Sequence, residues 1–360
     1  MARVLTLFNR PRGERFAAAE AGCCPDELLY GTRTLRARGW DVVTTDLGFG
    51  SYFGGRLLKG VDNALSRGGR RTGFHLKQAW RVRRLCREVD LIFATADSSG
   101  LPVLFLQALG LFDTPVVYSS IGLAETFGEP AGVIYWMYRK LLLRARRILV
   151  YAEAEAAALT RVFHLPPGLV RFVPFGVETD FFAATPPGPG APLAFGLDHR
   201  RDWPALFAAA AELETELDVV TNPDLVRGLA VPRNVRLHAS EPVDALRERL
   251  RRAPFVILPV RENNYSGGTI SLLQSMAAGR AVIVSQTQAI TGGYGLRDDE
   301  NCLLVPPGDV PALARAMTRL SREPTTAARL GGAAARHVRE HLDIQQWATT
   351  VEETWREALA

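Results

Sequence analysis

Cysteine is scarce in this chain of 360 residues, with four in all: Cys23, Cys24, Cys86 and Cys302. The adjacent pair lacks the spacing of zinc ligands and no Cys/His cluster follows it, so neither a disulfide framework nor a structural zinc site is expected. Free thiols in a reducing compartment are the natural reading. Long apolar runs are missing too: none reaches the roughly eighteen residues that suggest a membrane span. The opening segment "MARVLTLFNRPRGER" has too short an apolar run for a signal peptide and no cleavage-like site. A cytoplasmic protein is therefore expected, any membrane contact being peripheral at the inner membrane surface. Short repeats of solenoid type are absent, and no nucleic-acid recognition motif accompanies the basic excess.

What remains is an ordinary soluble composition, 47 % apolar and 22 % charged. The length suits two domains, each with its own core. The net charge of +5 is mild and fits a phosphate-bearing ligand or an anionic surface.

Strand-like and helix-like segments alternate through the first half. "VLTLF" reads as a strand, "DELLYGTRTLRARG" (Asp26–Gly39) as a helix with an acidic start and a glycine stop, and "DVVTTDL" as a strand. "LKQAWRVRRLCREV" is a helix before "DLIFATAD", "LPVLFLQALGLF" one before "PVVYSS", and "AGVIYWMYRKLLLRARR" one before "ILVYAE". Such alternation implies right-handed crossovers and a parallel sheet. Between Pro174 and Pro192 the texture turns to Pro/Gly-rich turns, a domain junction by composition. The alternation then resumes and long helices close the chain. The architecture expected is two doubly wound, Rossmann-like α/β domains facing across a cleft, residues 1–175 and 176–342. A terminal helix, 343–360, crosses back to the first domain.

One stretch carries the chemistry: "YSGGTISLLQSMAAG" (Tyr265–Gly279), between the strands "FVILPV" and "AVIVS". Ser266, Gly267, Gly268 and Thr269 fall where a strand ends and a helix begins. Glycines there let backbone approach a ligand closely. The first helical N–H groups lack internal partners and carry the positive end of the dipole. A phosphate is the usual guest; a Ser/Thr-capped turn with nothing bound is the plainer alternative.

This stretch, within "VILPVRENNYSGGTISLLQSMAAGRAVIVSQT", resembles the signature region of family 4 glycosyltransferases of the GT-B fold. Three further segments fit in order: "YGTRTLRARGWDVV", "VPFGVETDFF" and "GYGLRDDENCLLVPPGDVPALARAMTRL". The resemblance implies a hexosyltransferase that moves a sugar from a nucleotide-diphosphate sugar to an acceptor hydroxyl with retention. It needs no metal and no cofactor beyond the donor substrate. It places the donor diphosphate on Ser266–Thr269, with an acceptor that is a glycan, a lipid-linked sugar or a small natural product.

The sequence also departs from the family pattern. Of two glutamates spaced eight apart, the second becomes Gln274, which keeps a carbonyl for a ribose hydroxyl but loses charge. The first falls on Ser266, or is Glu262 with a short insertion. In "FGLDHRRDWPAL", Gly196 is kept, but the basic pair that contacts phosphates becomes Leu197 and Asp202. Arg200 and Arg201 are the candidates to supply that charge from shifted positions. The slot of an acceptor-side histidine in "PVVYSSIGLAET" holds Ile121, leaving Glu125, and similarly Asp97 in "TADSSG", to orient an acceptor. Paired acids in "RDDEN" (Arg297–Asn301) read as a solvated turn. "FGSYFGGRLLKGVDNALSRGGRRTG" (Phe49–Gly73) mixes aromatic and basic residues and reads as a sheet-covering helix and loop or a membrane-surface segment. "YRKLLLRARR" reads as a helix packed on the sheet with snorkelling arginines. These departures keep a second reading open: a nucleotide-sugar-binding partner subunit that has lost turnover.

Overall fold

Short runs rich in β-branched and leucine residues become strands, and the longer amphipathic segments between them become helices. The computed structural model describes residues 2–45, 74–127, 132–213 and 215–360. Among these the strands form two six-stranded sheets in which every ladder is parallel. The chain divides into two units. One comprises Met1–Ala21, Leu28–Val173 and Trp347–Ala360, the other Gly22–Glu27 and Pro174–Gln346. No helix of the described residues is long and apolar enough to cross a membrane.

In the first unit the strands are β1 (Arg3–Leu7), β2 (Asp41–Thr44), β3 (Leu91–Ala94), β4 (Val116–Ser119), β5 (Arg147–Val150) and β6 (Val170–Phe172), in the order β2-β1-β3-β4-β5-β6. The central strands β3 and β4 are buried along their whole length. They therefore read as unbroken apolar runs rather than alternating ones, as parallel strands covered on both faces do. The helices Leu76–Val82, Asp97–Ala108 and Gly132–Leu142 lie side by side in one layer. Aromatic contacts tighten their packing, among them Phe74 stacked on Tyr138 at 6.0 Å and Tyr135 on Phe163 at 5.4 Å. The terminal helix Ile344–Leu359 brings Trp355 edge-on to Trp40 and Phe93, at 5.2 and 5.5 Å. Glu352 of that helix accepts from Trp40 Nε1 (2.8 Å) and pairs with Arg38 (3.1 Å).

Two helices are shorter than their periodicity predicts. Asp26–Gly39 is not one helix but a 3-10 turn, Asp26–Leu29, and a helix, Thr32–Ala37. The break is at Tyr30 and Gly31, both left-handed (φ 51° and 63°). A Cβ at Gly31 would run into the ring of Trp347, so the constraint comes from a distant residue. "LKQAWRVRRLCREV" likewise divides into Leu76–Val82 and a 3-10 turn, Leu85–Arg87. The stretch Phe49–Gly73 lies outside the described residues.

The second unit holds β7 (Leu193–Phe195), β8 (Leu217–Val220), β9 (Val235–His238), β10 (Phe255–Leu258), β11 (Ala281–Ser285) and β12 (Leu303–Val305), in the order β12-β11-β10-β7-β8-β9. The chain walks outward from β7 to β9, returns to β10 beside β7, and walks the other way. The carboxyl ends of β7 and β10 thus form a topological switch point, where open α/β sheets bind ligands. The helix Thr269–Ala277 leaves β10 at that point. Its far end is fixed from two directions. Gly331, on the helix Pro324–His341, has no room for a Cβ against the Gly279 carbonyl. The buried Arg280 donates to the carbonyls of Ala253 (2.9 Å), Pro186 (3.1 Å) and Ala278 (3.2 Å).

Candidate functional site

Gly196 follows β7 with φ +149°, and Gly268 precedes the helix Thr269–Ala277 with φ +94°. Both are backbone conformations that glycine adopts without steric cost. Both also make room for one side chain. A Cβ at Gly196 would fall on Nε of Arg201, and one at Gly268 on its Nη1. Arg201 itself is anchored by an antiparallel bridge to Val260, just beyond β10.

Only 3 % of Arg201 is exposed. Its Nη2 donates to Ser271 Oγ at 2.9 Å, while its buried Nε and Nη1 find no acceptor among the described residues. Burial pulls its pKa down to about 10, against the pull of Asp198 and Tyr265, so it stays cationic at neutral pH. A buried guanidinium with two open donors is costly. Here it sits at a helix start that no side chain caps, where the dipole is also positive. Thr269 Oγ1 is a further buried hydroxyl without a partner among the described residues. Two positive features of this kind side by side are complementary to an anion.

The surrounding loops are stitched into a fixed shape. Tyr265 donates its hydroxyl to both Asp198 carboxylate oxygens at 3.1 Å, and its ring lies along that of His199. Arg200 N–H donates to Asp198 Oδ1 (2.6 Å), and Arg261 N–H to the Arg200 carbonyl (2.8 Å). Asp202 caps the helix Trp203–Ala210 through Ala205 N–H, and Leu197 is 61 % exposed. Of the adjacent arginines, the glycine-lined slot therefore takes Arg201. Within the small-residue loop, Gly267 N–H donates to Tyr265 O (2.7 Å) and Thr269 N–H to Ser266 O (3.3 Å). Glu262 is exposed and accepts from Gln288 N–H (3.0 Å) at the start of a short helix.

Gln274 lies one turn beyond Ser271 on the same helix and is 4 % exposed. Its Nε2 donates to Glu27 Oε1 at 3.0 Å. Glu27 belongs to Gly22–Glu27, the short segment from early in the chain that packs with this unit. Its other oxygen accepts from Glu178 N–H (3.1 Å), while Glu178 Oε2 accepts from Asp26 N–H (2.7 Å). Burial raises the Glu27 pKa from 4.5 to about 7, the bonds from Gln274 and Glu178 opposing the rise.

The sequence reading missed Asp198, Tyr265, Ser271 and Glu27. The one local signal for Asp198 is the polar turn "DHRRD", and Glu27 carries none.

Glu125 and Asp97 belong to the first unit. Glu125 lies in the short helix Leu123–Thr126. Asp97 opens the helix Asp97–Ala108 beyond β3 and accepts from Ile121 N–H at 2.8 Å. Glu155 accepts from Gly122 N–H. Two buried carboxyls thus hold the loop after β4, the loop that contains Ile121. Burial raises the Asp97 pKa to about 6, and burial together with Asp97 and Glu125 raises that of Glu155 well above its ordinary value. In "RDDEN", Asp299 pairs with Arg319 and Arg329 at 3.0 and 2.8 Å on the surface. Among the described residues no three His, Cys, Asp or Glu gather as a metal-binding set.

Two family profiles match the chain: "Glycosyltransferase Family 4" over residues 30–181 and "Glycosyl transferases group 1" over residues 201–323. An MMP α-(1→4)-mannosyltransferase of Mycolicibacterium hassiacum is 24 % identical over 242 residues, 62 % of this chain. The match spans only 57 % of that relative's length. Among solved structures, the sucrose-phosphate synthase of Thermosynechococcus elongatus superposes with a TM-score of 0.70, at 18 % identity over 98 % of each chain. Anabaena HepE, solved with UDP and glucose, gives a TM-score of 0.68 at 14 % identity, over 99 % of this chain and 100 % of that one. At these identities the structural likeness speaks to the fold.

Proposed function

Since the chain has the GT-B fold and belongs to the group 1, family 4 glycosyltransferases, we propose that it transfers a sugar from a nucleotide-diphosphate donor to an acceptor hydroxyl, with Arg201 as the cation that holds the diphosphate. The observation that carries the assignment of the site is the pair of buried, unpartnered Arg201 donors between Gly196 and Gly268. A phosphate oxygen accepts from both, and the open helix start adds its dipole.

In this reading Arg201 and the helix start stabilise negative charge on the diphosphate as the glycosidic C–O bond breaks. That role needs no bound metal. The acceptor oxygen attacks the same face, and its proton passes to the departing phosphate oxygen, which gives retention without a protein nucleophile. Arg200 and Ser266 border the site and are proposed to tune it. The occupied Gln274 amide favours a second reading, in which the chain binds a nucleotide sugar without turning it over.

The test is a thermal-shift series with UDP, GDP, dTDP and ADP, with and without EDTA, on wild type and Arg201→Met. A nucleotide at a hundred times its Kd stabilises by about 2.7 kcal/mol. That is a rise of roughly 5–10 °C for units of this size. The expected result is a shift with one base, kept in EDTA and lost in Arg201→Met. The apo melting temperature of that variant should be equal or higher, because an unpaired buried charge has been removed. A lower apo melting temperature with the shift retained would make Arg201 structural and sink the proposal. Donor hydrolysis or transfer separates the enzyme from the binding subunit.

A further inference from the structure

The helix Pro324–His341 ends on the sequence "HVREH", His337 to His341. Residues four apart on a helix lie one above the other on the same face. The two imidazoles meet there, with ring centroids 5.1 Å apart and ring planes inclined at 57°. Both belong to the second unit. His337 is half-buried and His341 exposed. His337 has a packing task. Its ring fills the space beside Gly295, where a Cβ would run into it, and its Nε2 bonds to the Tyr294 carbonyl at 2.8 Å. A carbonyl only accepts, so Nε2 carries the proton and the neutral ring keeps its lone pair on Nδ1. That task leaves His337 Nδ1 and all of His341 without a role. Among the described residues His337 Nδ1 has no hydrogen-bond partner. The nearest acidic oxygen to His341 Nε2 is Glu340 Oε2 at 3.8 Å, beyond hydrogen-bonding distance.

Two imidazoles one helical turn apart are the ligand pair that helical zinc motifs use. A zinc ion about 2.0–2.1 Å from one nitrogen of each ring, at a tetrahedral angle, sets the ring centroids roughly 5 Å apart. The observed separation matches that distance. The proton on His337 Nε2 also lies where a metal-bound imidazole carries it, donated to a carbonyl that fixes the tautomer and the ring plane. The last turn of a helix bears the negative end of its dipole, which favours a cation. Glu340 places a carboxylate on the same turn. Among the described residues no third His, Cys, Asp or Glu completes a set, so water takes the remaining positions. Hydrolytic zinc centres hold the ion with three protein ligands. A two-imidazole pair is therefore a clamp, and nitrogen ligands select zinc, nickel or copper over magnesium and calcium.

We infer that His337 Nδ1 and His341 chelate a divalent cation of the zinc class, which clamps the last turn of the helix Pro324–His341. Several parts of the second unit converge on that turn. Through its carbonyl Tyr294 holds His337, and its hydroxyl accepts from Phe175 N–H at 3.0 Å. Just past the helix, Asp343 bridges to Val177. The inference does not depend on the sugar-transfer reading. Calorimetric titration of Zn²⁺ into the untagged, EDTA-treated full chain tests it, in a Cys23→Ser background so that the exposed thiol cannot take the metal. One ion should bind per chain, and the melting temperature should rise by roughly 5–10 °C at a hundred times the Kd. Ni²⁺ and Cu²⁺ should bind as well, and Mg²⁺ should not. His341→Gln changes an exposed side chain. It should leave the metal-free melting temperature unchanged and weaken Zn²⁺ binding by more than about tenfold. His337→Gln can still donate to the Tyr294 carbonyl and should weaken binding likewise. Zn²⁺ binding that His341→Gln leaves unaltered would overturn the inference. So would a parent chain that binds no Zn²⁺, or one in which Mg²⁺ competes equally.

Discussion

Replacing Gln274 by glutamate would set a second carboxylate where the Gln274 amide now lies 3.0 Å from Glu27 Oε1. Both positions are almost fully buried. Two unit charges at that distance repel by about 5 kcal/mol at an effective dielectric near 20. The pair escapes part of this by binding a proton. Holding that proton costs about 1.4 kcal/mol for each pH unit above the ordinary carboxylate pKa, or about 3 kcal/mol near pH 7. Wild type already carries much of that cost in Glu27, so Gln274→Glu should destabilise the second unit relative to wild type by on the order of 1–2 kcal/mol at pH 8 and approach wild type below about pH 4.5. Glu27→Gln should act oppositely. The Glu27 carboxyl is raised from 4.5 to about 7 on folding. The stability its protonated form contributes is complete below about 4.5 and lost as pH rises through 7. Removing the ionisation should gain on the order of 3 kcal/mol at pH 8, the amide oxygen still accepting from Glu178 N–H while the Gln274 amide turns to accept. In the double variant the amide at position 27 donates to the carboxylate at 274, so most of the loss should be recovered. Urea titrations of the four proteins between about pH 5 and pH 8.5 close the cycle. A Gln274→Glu variant as stable as wild type at pH 8, or a double variant no better than the worse single, would refute the argument.

Two further outcomes are expected. Gly331→Val would drive a side chain into the Gly279 carbonyl and displace the helix that carries Ser271 and Gln274, costing more than about 3 kcal/mol in the urea midpoint; a neutral variant would contradict the packing. Asp97→Asn keeps an acceptor for Ile121 N–H but removes a carboxyl raised from 3.8 to about 6. Wild-type stability should fall as pH rises from about 4 through 6. The variant should lose that part of the slope, worth on the order of 3 kcal/mol, when both are titrated with urea across that range, Glu27 still contributing its own.

The alternation of strands and helices was legible because burial on both faces forces unbroken apolar runs, and β3, β4 and β10 show it. "YSGGT" was legible as a strand-to-helix turn because glycine there has a local steric meaning. Positive charge at Arg200–Arg201 could be read; which of the two turns inward could not, since Gly196 and Gly268 decide it from opposite sides. The partner of Gln274 lay beyond local reading, for Glu27 is 247 positions away. Read alone, Gln274 is a charge missing from a pattern. Beside Glu27, the neutral amide is what a buried carboxyl tolerates, because it can donate to the ionised form or accept from the protonated one. The break at Tyr30–Gly31 was hidden in the same way, its cause being Trp347.

The placement of Trp347–Ala360 in the first unit bears on how the chain is made. During synthesis, Trp40 and Phe93 emerge early but meet Trp355 only after residues 174–346 have been made. At about 5–20 residues per second, residues 174–346 occupy the ribosome for on the order of ten to thirty seconds in between. For that interval the nascent first unit exposes the apolar face that the final helix covers. It is begun before most of the second unit and completed after it, and a chain without Trp347–Ala360 forfeits contacts in the core of the unit that Trp40 and Phe93 open.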